Sequence, residues 1–402
     1  MSISTSFKLI MMMFLEYFVW GAWYVTMGTY MGEHFKDPGI DRIIGYAYSA
    51  LAFATIISPF FIGMVADRFF AAQKIMGILH LGGALLLYLT TKVSSGTVFP
   101  LIILLYSLLY MPTIALSNSI AFGQMKNPGK EFPWIRVFGT LGWIVAGFII
   151  GSLKIEKENT PFLIAASVSA ILGLYSFSLP DTPPKGKTTG SSASKLLGAD
   201  AFVLFKNTPY LIFFIAAILV CIPLSFYYGF ANPFLNELNV DKPAQKMILG
   251  QVSEAVFILA IPFLFLRIGV KNMLLLGMIA WILRYICFAY GDAGNGMWML
   301  YAGIILHGIC YDFFFVTGYM YTEKKAGEKI KSAAQGLFTF ATYGVGMLVG
   351  TWFSGIIVDN YKIAENAHNW TKIWMVPAYV AIGVLVYFVL LFKEKKEINR
   401  GA

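Results

Sequence analysis

The feature that most constrains this chain is a series of long apolar runs separated by short polar loops. Of its 402 residues, 58% are hydrophobic and 13% are charged, which is about half the charged share of a soluble domain. A run of about 20 apolar residues spans the hydrocarbon core of a bilayer as a helix. The polar–apolar alternation of membrane barrel strands is absent from the sequence. The runs predict twelve membrane-spanning helices, at 9–31, 44–65, 73–91, 99–122, 134–152, 161–179, 209–231, 247–267, 273–290, 297–320, 333–357 and 371–392.

The distribution of positive charge indicates how these helices are oriented. With both termini on one side, the loops and tails of that side hold 19 Lys and Arg residues, the opposite side holds 9, and Arg136 and Arg284 lie within segments. Basic residues accumulate on the cytoplasmic side of membrane proteins. We therefore expect both termini in the cytoplasm, and we interpret the net charge of +9 as a topology signal rather than as a surface for nucleic acid.

One stretch between the sixth and seventh segments differs in composition from the rest of the chain. Residues 180–192, PDTPPKGKTTGSS, are rich in proline, glycine, serine and lysine, as flexible linkers are. We therefore predict a six-helix bundle at 1–180, a cytoplasmic linker at 181–207 and a second six-helix bundle at 208–402. Such a layout is typical of transporters built from two related halves.

The fifth and eleventh segments, at the same position in the two halves, are both rich in glycine. Gly147 and Gly151 lie in the fifth segment, and Gly346 and Gly350 lie in the eleventh. Small residues four apart allow helix backbones to approach closely. A single pair of this kind is compatible with generic membrane packing, but the matching positions favour helices that move as a pair.

Two ionisable residues inside apolar segments indicate a polar site within the bundle. Arg136 lies in the fifth segment and Glu254 in the eighth, and charged residues in a membrane normally face a partner or a wet cavity. Arg136, Thr140 and Trp143 share one helix face, and so do Gln251 and Glu254. We predict that these two faces bind substrate and that Glu254 carries a proton. The alternative for Arg136 is that its side chain snorkels to the membrane interface.

Three other polar residues in the segments, Asp312, Glu16 and His307, each have two possible interpretations. Asp312 either couples to protons or forms a structural pair with Arg284, and Glu16 either is a second proton site or lies near the cytoplasmic surface. His307 either titrates near neutral pH or packs in the core, and we interpret His80 as structural. The three cysteines lie in predicted helices and show neither disulfide nor metal spacing.

The loop after the second segment resembles the signature of the major facilitator superfamily. Gly63, Asp67 and Arg68 match its pattern, but of the glycine and basic residue that usually follow, only a displaced Lys74 is present. Further stretches with a recognisable pattern include YMPT (110–113), IR (135–136), SE (253–254), AWILR (280–284), FAYGD (288–292), DFF (312–314) and SAAQG (332–336). With these stretches, the chain resembles the nucleoside:proton symporters of that superfamily over nearly its whole length.

The resemblance implies a major facilitator carrier of nucleosides and protons in the bacterial inner membrane. Its expected partners are a nucleoside and the lipid bilayer, and we expect a monomer without a cofactor. It also implies that Gly147 and Gly151 contact the eighth helix. Trp143 stands where the family suggests phenylalanine, and Ser225 and Tyr228 stand where it suggests glutamine and asparagine. The implied substrate-contacting residues are Arg136, Thr140, Trp143, Ser225, Tyr228, Gln251, Glu254, His307 and Tyr311.

Three other functions are compatible with parts of this pattern. They are a carrier of another hydroxylated solute such as a sugar, a drug exporter, and a receptor that binds without transport. The polar faces favour a hydroxylated solute over a drug, and the paired glycine-rich helices favour a moving carrier over a receptor. An enzyme is not expected, because no nucleophile–base set, metal spacing or phosphate loop is present in the sequence.

Overall fold

The computed structural model describes residues 3–61, 70–183, 199–365 and 367–393, which are almost entirely helical. The helices of the N-terminal half are α1 (Ile3–Trp23), α2 (Met27–His34), α3 (Ile40–Phe61), α4 (Ala72–Thr90), α5 (Phe99–Gly123), α6 (Pro128–Leu153) and α7 (Thr160–Ser176). Those of the C-terminal half are α8 (Thr208–Glu237), α9 (Pro243–Tyr290), α10 (Met297–Tyr311), α11 (Thr317–Thr339), α12 (Met347–Asn360) and α13 (Trp370–Leu391). A 3₁₀ helix, Ala199–Lys206, precedes α8, and a hairpin of β1 (Lys362–Ala364) and β2 (Ala367–His368) precedes α13.

The twelve predicted segments correspond in order to the helical spans of the structure. Within the described residues, 11 spans are long and apolar enough to cross a membrane, and α7 is a shorter apolar helix of 17 residues. The bounds differ by a few residues, and α8 continues to Glu237 instead of ending at 231. The predicted all-helical membrane fold is therefore confirmed.

Two pairs of predicted segments are joined by a kink at a single glycine instead of by a longer loop. The segments at 247–267 and 273–290 form the single element α9, in which Gly269 alone leaves helical geometry, with φ of 76°. A glycine adopts a positive φ without a Cβ clash, so one residue is enough to redirect the helix. Gly327 interrupts α11 in the same way.

The C-terminal half also contains two π-helical stretches near its centre. Asp312–Val316 joins α10 to α11, and Phe340–Gly346 joins α11 to α12. A π turn widens the helix by one residue and is frequent at functional sites. Here the two stretches set the directions of Asp312 and Tyr343, which the apolar pattern of the sequence does not define.

The two halves meet where α6 packs against α9 and where α3 packs against α12. A Cβ built on Gly147 would lie 3.3 Å from Ile248, and one on Gly151 would lie 2.4 Å from the backbone nitrogen of Gln245. Both neighbours belong to α9, so these glycines lie at the helix contact that the family resemblance implied. On the other side, the hydroxyl oxygens of Ser49 and Thr351 are 2.7 Å apart.

His368 joins the two halves at one end of the bundle. Its Nδ1 lies 2.7 Å from Glu237 Oε2, at the end of α8, and its Nε2 lies 3.2 Å from Asp41 Oδ2, in α3. Burial lowers the pKa of His368, but the hydrogen bonds and charges of Asp41 and Glu237 outweigh burial and raise that pKa to about 9. His368 is therefore an imidazolium at neutral pH, held between carboxylates of both halves.

Glu156 makes a second connection at the same end. It follows α6 and accepts hydrogen bonds from the side chains of Asn232 and Asn236 at 2.8 and 3.0 Å, and from the N–H of Ala244 at 2.8 Å. Burial raises the pKa of the Glu156 carboxyl, and these hydrogen bonds offset part of that rise. The halves are thus held together at the end whose loops we predicted to face away from the cytoplasm.

Candidate functional site

A cavity lies between the two halves and is lined by helices of both. It encloses about 940 Å³ of space free of atoms, including the solvent at its opening. All of its aromatic lining residues carry a polar hydrogen: Tyr17, Trp20, Tyr24, Tyr48, Trp143, Tyr228, Tyr311 and Tyr343. Its other polar lining residues are Thr55, Arg136, Thr140, Gln251 and Glu254.

The N-terminal half contributes one face of α6 to this cavity. Arg136, Thr140 and Trp143 all line it, as their helical spacing predicted. The guanidinium carbon of Arg136 lies 4.0 Å from the centroid of the Tyr17 ring, and the rings of Trp143 and Trp20 meet edge-on at 5.4 Å. Arg136 is therefore directed into the bundle, and the alternative of snorkelling to the membrane interface does not describe its position.

The C-terminal half contributes Gln251 and Glu254 from α9, again on one face. The Glu254 side chain is 29% exposed, and its Oε2 lies 3.8 Å from His307 Nε2. Within the part of the chain that the structure describes, Glu254 makes no ion pair of 4.0 Å or less with Arg136. The two charges line the same cavity from opposite halves, so Arg136 acts on Glu254 electrostatically across a space that a ligand can occupy.

Tyr228 and Tyr311 line the cavity, whereas Ser225 does not. Tyr228 of α8 packs against Tyr24, in the turn after α1, at 5.5 Å, and the Tyr311 hydroxyl is hydrogen-bonded to that of Tyr343. Ser225 is wholly buried, and its Oγ donates to a backbone oxygen of its own helix at 2.6 Å. It lies where Gly350 of α12 approaches α8, because a serine is small enough for that contact. The implied substrate role of Ser225 is therefore not supported by its position.

His307 lies behind the cavity wall rather than on it. It is wholly buried between Glu254 and Arg284, and Arg284 Nη1 donates to its Nδ1 at 2.9 Å. The structural pair that we considered for Asp312 is therefore not formed, because Arg284 binds His307 instead. Asp312 is also wholly buried, and neither of its carboxylate oxygens has a hydrogen-bond partner among the described residues.

Glu16 is wholly buried inside the N-terminal half. Its Oε2 is 2.8 Å from His80 Nε2, and its Oε1 accepts a hydrogen bond from Thr113 at 2.7 Å. This contact agrees with a structural role for His80.

The remaining predicted residues, Gly63, Asp67 and Arg68 of the superfamily loop, lie outside the described residues.

Four tyrosines of the cavity wall, Tyr17, Tyr24, Tyr48 and Tyr343, were not identified from the sequence. Tyr24 lies four residues after Trp20, which is a helical spacing that could have marked it. Tyr48 and Tyr343 have no nearby charged residue to mark their helix faces. Tyr343 also lies in a π-helical stretch, where ordinary helical spacing does not apply.

Two helical halves around a central polar cavity define a membrane transporter of the major facilitator type. The chain belongs to the nucleoside H⁺ symporter family, whose model matches residues 3–397. This confirms the predicted family, and it confirms that the protein is a multi-pass membrane transporter rather than an enzyme.

Individual relatives match over nearly the full length of the chain. The protein is 41% identical to YegT of Escherichia coli (strain K12), over 97% of this chain and 94% of that one. It is 36% identical to the xanthosine permease of the same strain, over 97% and 96% of the two chains. The crystal structure of the nucleoside transporter NupG superposes with a TM-score of 0.89 at 34% identity, covering 98% of this chain and 100% of that one.

Proposed function

We propose that this protein imports nucleosides together with protons across the bacterial inner membrane by alternating access. The proposal includes a monomeric carrier with both termini in the cytoplasm and no cofactor apart from the coupling proton. The bundles at 1–180 and 208–402 would move relative to each other, joined by the linker at 181–207.

The observation that carries this proposal is that polar groups of both halves line one cavity. Arg136 and Thr140 come from α6, and Gln251 and Glu254 come from α9. A solute that binds both pairs bridges the halves, so its binding changes the relative energies of their arrangements. A nucleoside suits this wall because it has a flat base for the aromatic rings and ribose hydroxyls for the polar groups.

Glu254 is the leading candidate for the proton carrier. It is partly exposed to the cavity, where it can exchange a proton with water. Its charged form is attracted to Arg136, and its protonated form can donate a hydrogen bond to a substrate oxygen. Asp312 is the second candidate, because both of its carboxylate oxygens lack a hydrogen-bond partner in the described region.

The polar connections at one end of the bundle, which we call the closed end, indicate which conformation the structure represents. Asp41, Glu156 and His368 connect the halves at the end that carries the loops we expect to be periplasmic. We therefore assign the structure to the inward-facing part of the cycle, in which the cavity is sealed from the periplasm.

Uptake by the purified protein in liposomes tests the proposed function. One labelled nucleoside is offered with and without an inward proton gradient, and unlabelled nucleosides, free bases and sugars serve as competitors. We expect uphill accumulation that requires the gradient and is inhibited by nucleosides. Inhibition by sugars alone would indicate another hydroxylated substrate. Binding without accumulation would indicate a receptor.

A further inference from the structure

Arg284 of α9 is a buried cation that the proposed transport cycle has not yet used. It is wholly buried, and its guanidinium carbon lies 3.5 Å from the centroid of the Tyr227 ring. The rings of Trp281 and Phe288 lie 5.5 and 5.6 Å from the same carbon. Aromatic faces stabilise a desolvated cation, but burying one is costly unless it is also hydrogen-bonded.

The hydrogen bond of Arg284 determines the protonation of His307. Its Nη1 lies 2.9 Å from His307 Nδ1. A guanidinium has only donors, so Nδ1 must accept this bond with its lone pair. An imidazolium has no lone pair on either nitrogen, and a neutral imidazole that accepts at Nδ1 carries its proton on Nε2. The contact therefore fixes a neutral His307 with an Nε2–H donor.

That donor is directed toward Glu254. His307 Nε2 has no hydrogen-bond partner in the part of the chain that is described, and it lies 3.8 Å from Glu254 Oε2. The imidazole stacks on the Tyr227 ring at 4.9 Å, which holds its plane. The hydrogen bond requires the Glu254 side chain, which is partly exposed to the cavity, to rotate so that this distance shortens to about 3 Å.

We propose that Arg284 and His307 are positioning residues for Glu254. The guanidinium holds the imidazole as its Nε2–H tautomer, and this N–H binds the Glu254 carboxylate after the proton has left. A neutral imidazole whose Nδ1 is already occupied cannot accept the proton, so the proton must leave through the cavity and not through the core. This proposal rests on the proposed role of Glu254 as proton carrier.

Other groups also act on Glu254 and contribute to its response to pH. They are Arg136 from α6, Tyr227 and Tyr228 from α8, and Tyr311 and Asp312 at the end of α10 and in the following π stretch. His307 differs from all of these because Arg284 fixes which of its atoms carries the proton.

Solid-state ¹⁵N NMR of histidine-labelled protein tests the tautomer directly. The His307 signals are assigned by their absence in His307→Gln. From about pH 6 to about pH 8, a range in which free histidine titrates, we expect a neutral ring protonated at Nε2. In Arg284→Met, the other tautomer or the imidazolium should appear. A wild-type ring protonated at Nδ1, or at both nitrogens, would overturn the proposal whatever the transport data show.

Transport assays separate positioning from packing. His307→Gln can still accept from Arg284 and donate to Glu254, whereas His307→Phe keeps only the ring. We expect His307→Phe to move the midpoint of gradient-driven uptake to higher pH by roughly 0.5–1 unit, because the carboxylate loses a donor. His307→Gln should restore the wild-type midpoint. If the phenylalanine variant kept the wild-type midpoint and the glutamine variant lost it, the role of His307 would be packing.

Discussion

The two halves of the molecule bury their acids in opposite ways. In the N-terminal half, Glu16 is wholly buried and both of its carboxylate oxygens are hydrogen-bonded, to His80 and Thr113. In the C-terminal half, Asp312 is wholly buried and Glu254 is partly exposed to the cavity, and neither has a hydrogen bond within the described residues. A satisfied buried group stabilises one structure, whereas an unsatisfied one is costly until it finds a partner. Burial of an acid near a transport cavity therefore does not by itself identify the coupling site.

Hydrogen bonding in the N-terminal half leaves little freedom around Glu16. Ser169 Oγ donates to the carbonyl of His80 at 2.9 Å, so His80 Nδ1, at 3.1 Å, must donate to that oxygen. Because Nδ1 already carries one proton, the contact between Glu16 Oε2 and His80 Nε2 is made by a second proton, which these two atoms share. The Tyr110 hydroxyl donates to the backbone oxygen of Glu16 at 2.7 Å. An amide in place of the carboxyl could satisfy the same partners, because its N–H can donate to Nε2 and its oxygen can accept from Thr113.

The largest expected effect is the loss of proton-coupled uptake when Glu254 of the C-terminal half is changed. The same change at Glu16 of the N-terminal half should not have this effect. Glu254→Gln keeps the shape of the side chain but cannot titrate, so we expect it to abolish uphill, gradient-driven uptake while nucleoside exchange survives. The matched variant Glu16→Gln should still accumulate nucleoside. Counterflow and gradient-driven uptake in liposomes measure the two activities. Accumulation by Glu254→Gln that still rises with the gradient would transfer the role to Asp312. Loss of coupling in Glu16→Gln would remove the distinction between the halves.

The next effect concerns the contact between α6 and α9, along which the halves move in the proposed cycle. Gly147 of α6 faces Ile248 of α9, and overpacking such a contact costs about 1–3 kcal/mol. We expect Gly147→Leu to lower transport roughly tenfold while the protein still inserts in the membrane. Gly383→Leu on α13 is the matched control, because no atom lies within 4 Å of a Cβ built there. Equal uptake by the two variants at equal expression would show that close approach of α6 to α9 is not needed.

Most of the fold was predictable from the sequence, because a bilayer permits few backbone structures. Apolar runs located every spanning helix, since the backbone must satisfy its own hydrogen bonds in lipid. The kink at Gly269 within α9 and the π stretches at Asp312 and Phe340 were not predictable, because they depend on the conformation of single turns.

From helical spacing alone, the site was predictable only where a charge marked a helix face, whereas Tyr228 and Tyr311 followed from the family resemblance. Arg136 with Thr140, and Gln251 with Glu254, line the cavity as their spacing indicated. Helix α8 is apolar on all sides, so nothing in its sequence shows that Ser225 packs against α12. The position of His307 behind the cavity wall was likewise not predictable, because it depends on how α9 packs against α10.

Substrate preference should depend on the C-terminal wall at Tyr228, which stands where the family resemblance suggests an amide. We expect Tyr228→Asn to change the order of preference among nucleosides more than the total uptake, because an amide presents a donor and an acceptor to the base in place of a ring. Ser225→Ala, three residues away but outside the cavity, should leave the order unchanged. Competition profiles measure this order. Identical profiles for wild type and Tyr228→Asn would remove Tyr228 from the site, and a changed order in Ser225→Ala would place Ser225 on the substrate path.

The smallest expected effect is on the polar connection that holds the halves together at the closed end. The pKa of His368 is raised to about 9 between Asp41 and Glu237, above its usual unfolded value of about 6.5. The stability that it contributes is therefore fully present below about pH 6.5 and is lost as the pH rises through about 9.

His368→Gln should lower the melting temperature of the purified protein by roughly 1–3 °C at about pH 6, and this difference should shrink toward about pH 9.5. The control is Glu365→Gln, which removes an exposed partner of Lys36 and should change little, because surface ion pairs contribute little. A difference for His368→Gln that stayed constant across this pH range would mean that His368 stabilises the closed end by packing and not by its charge.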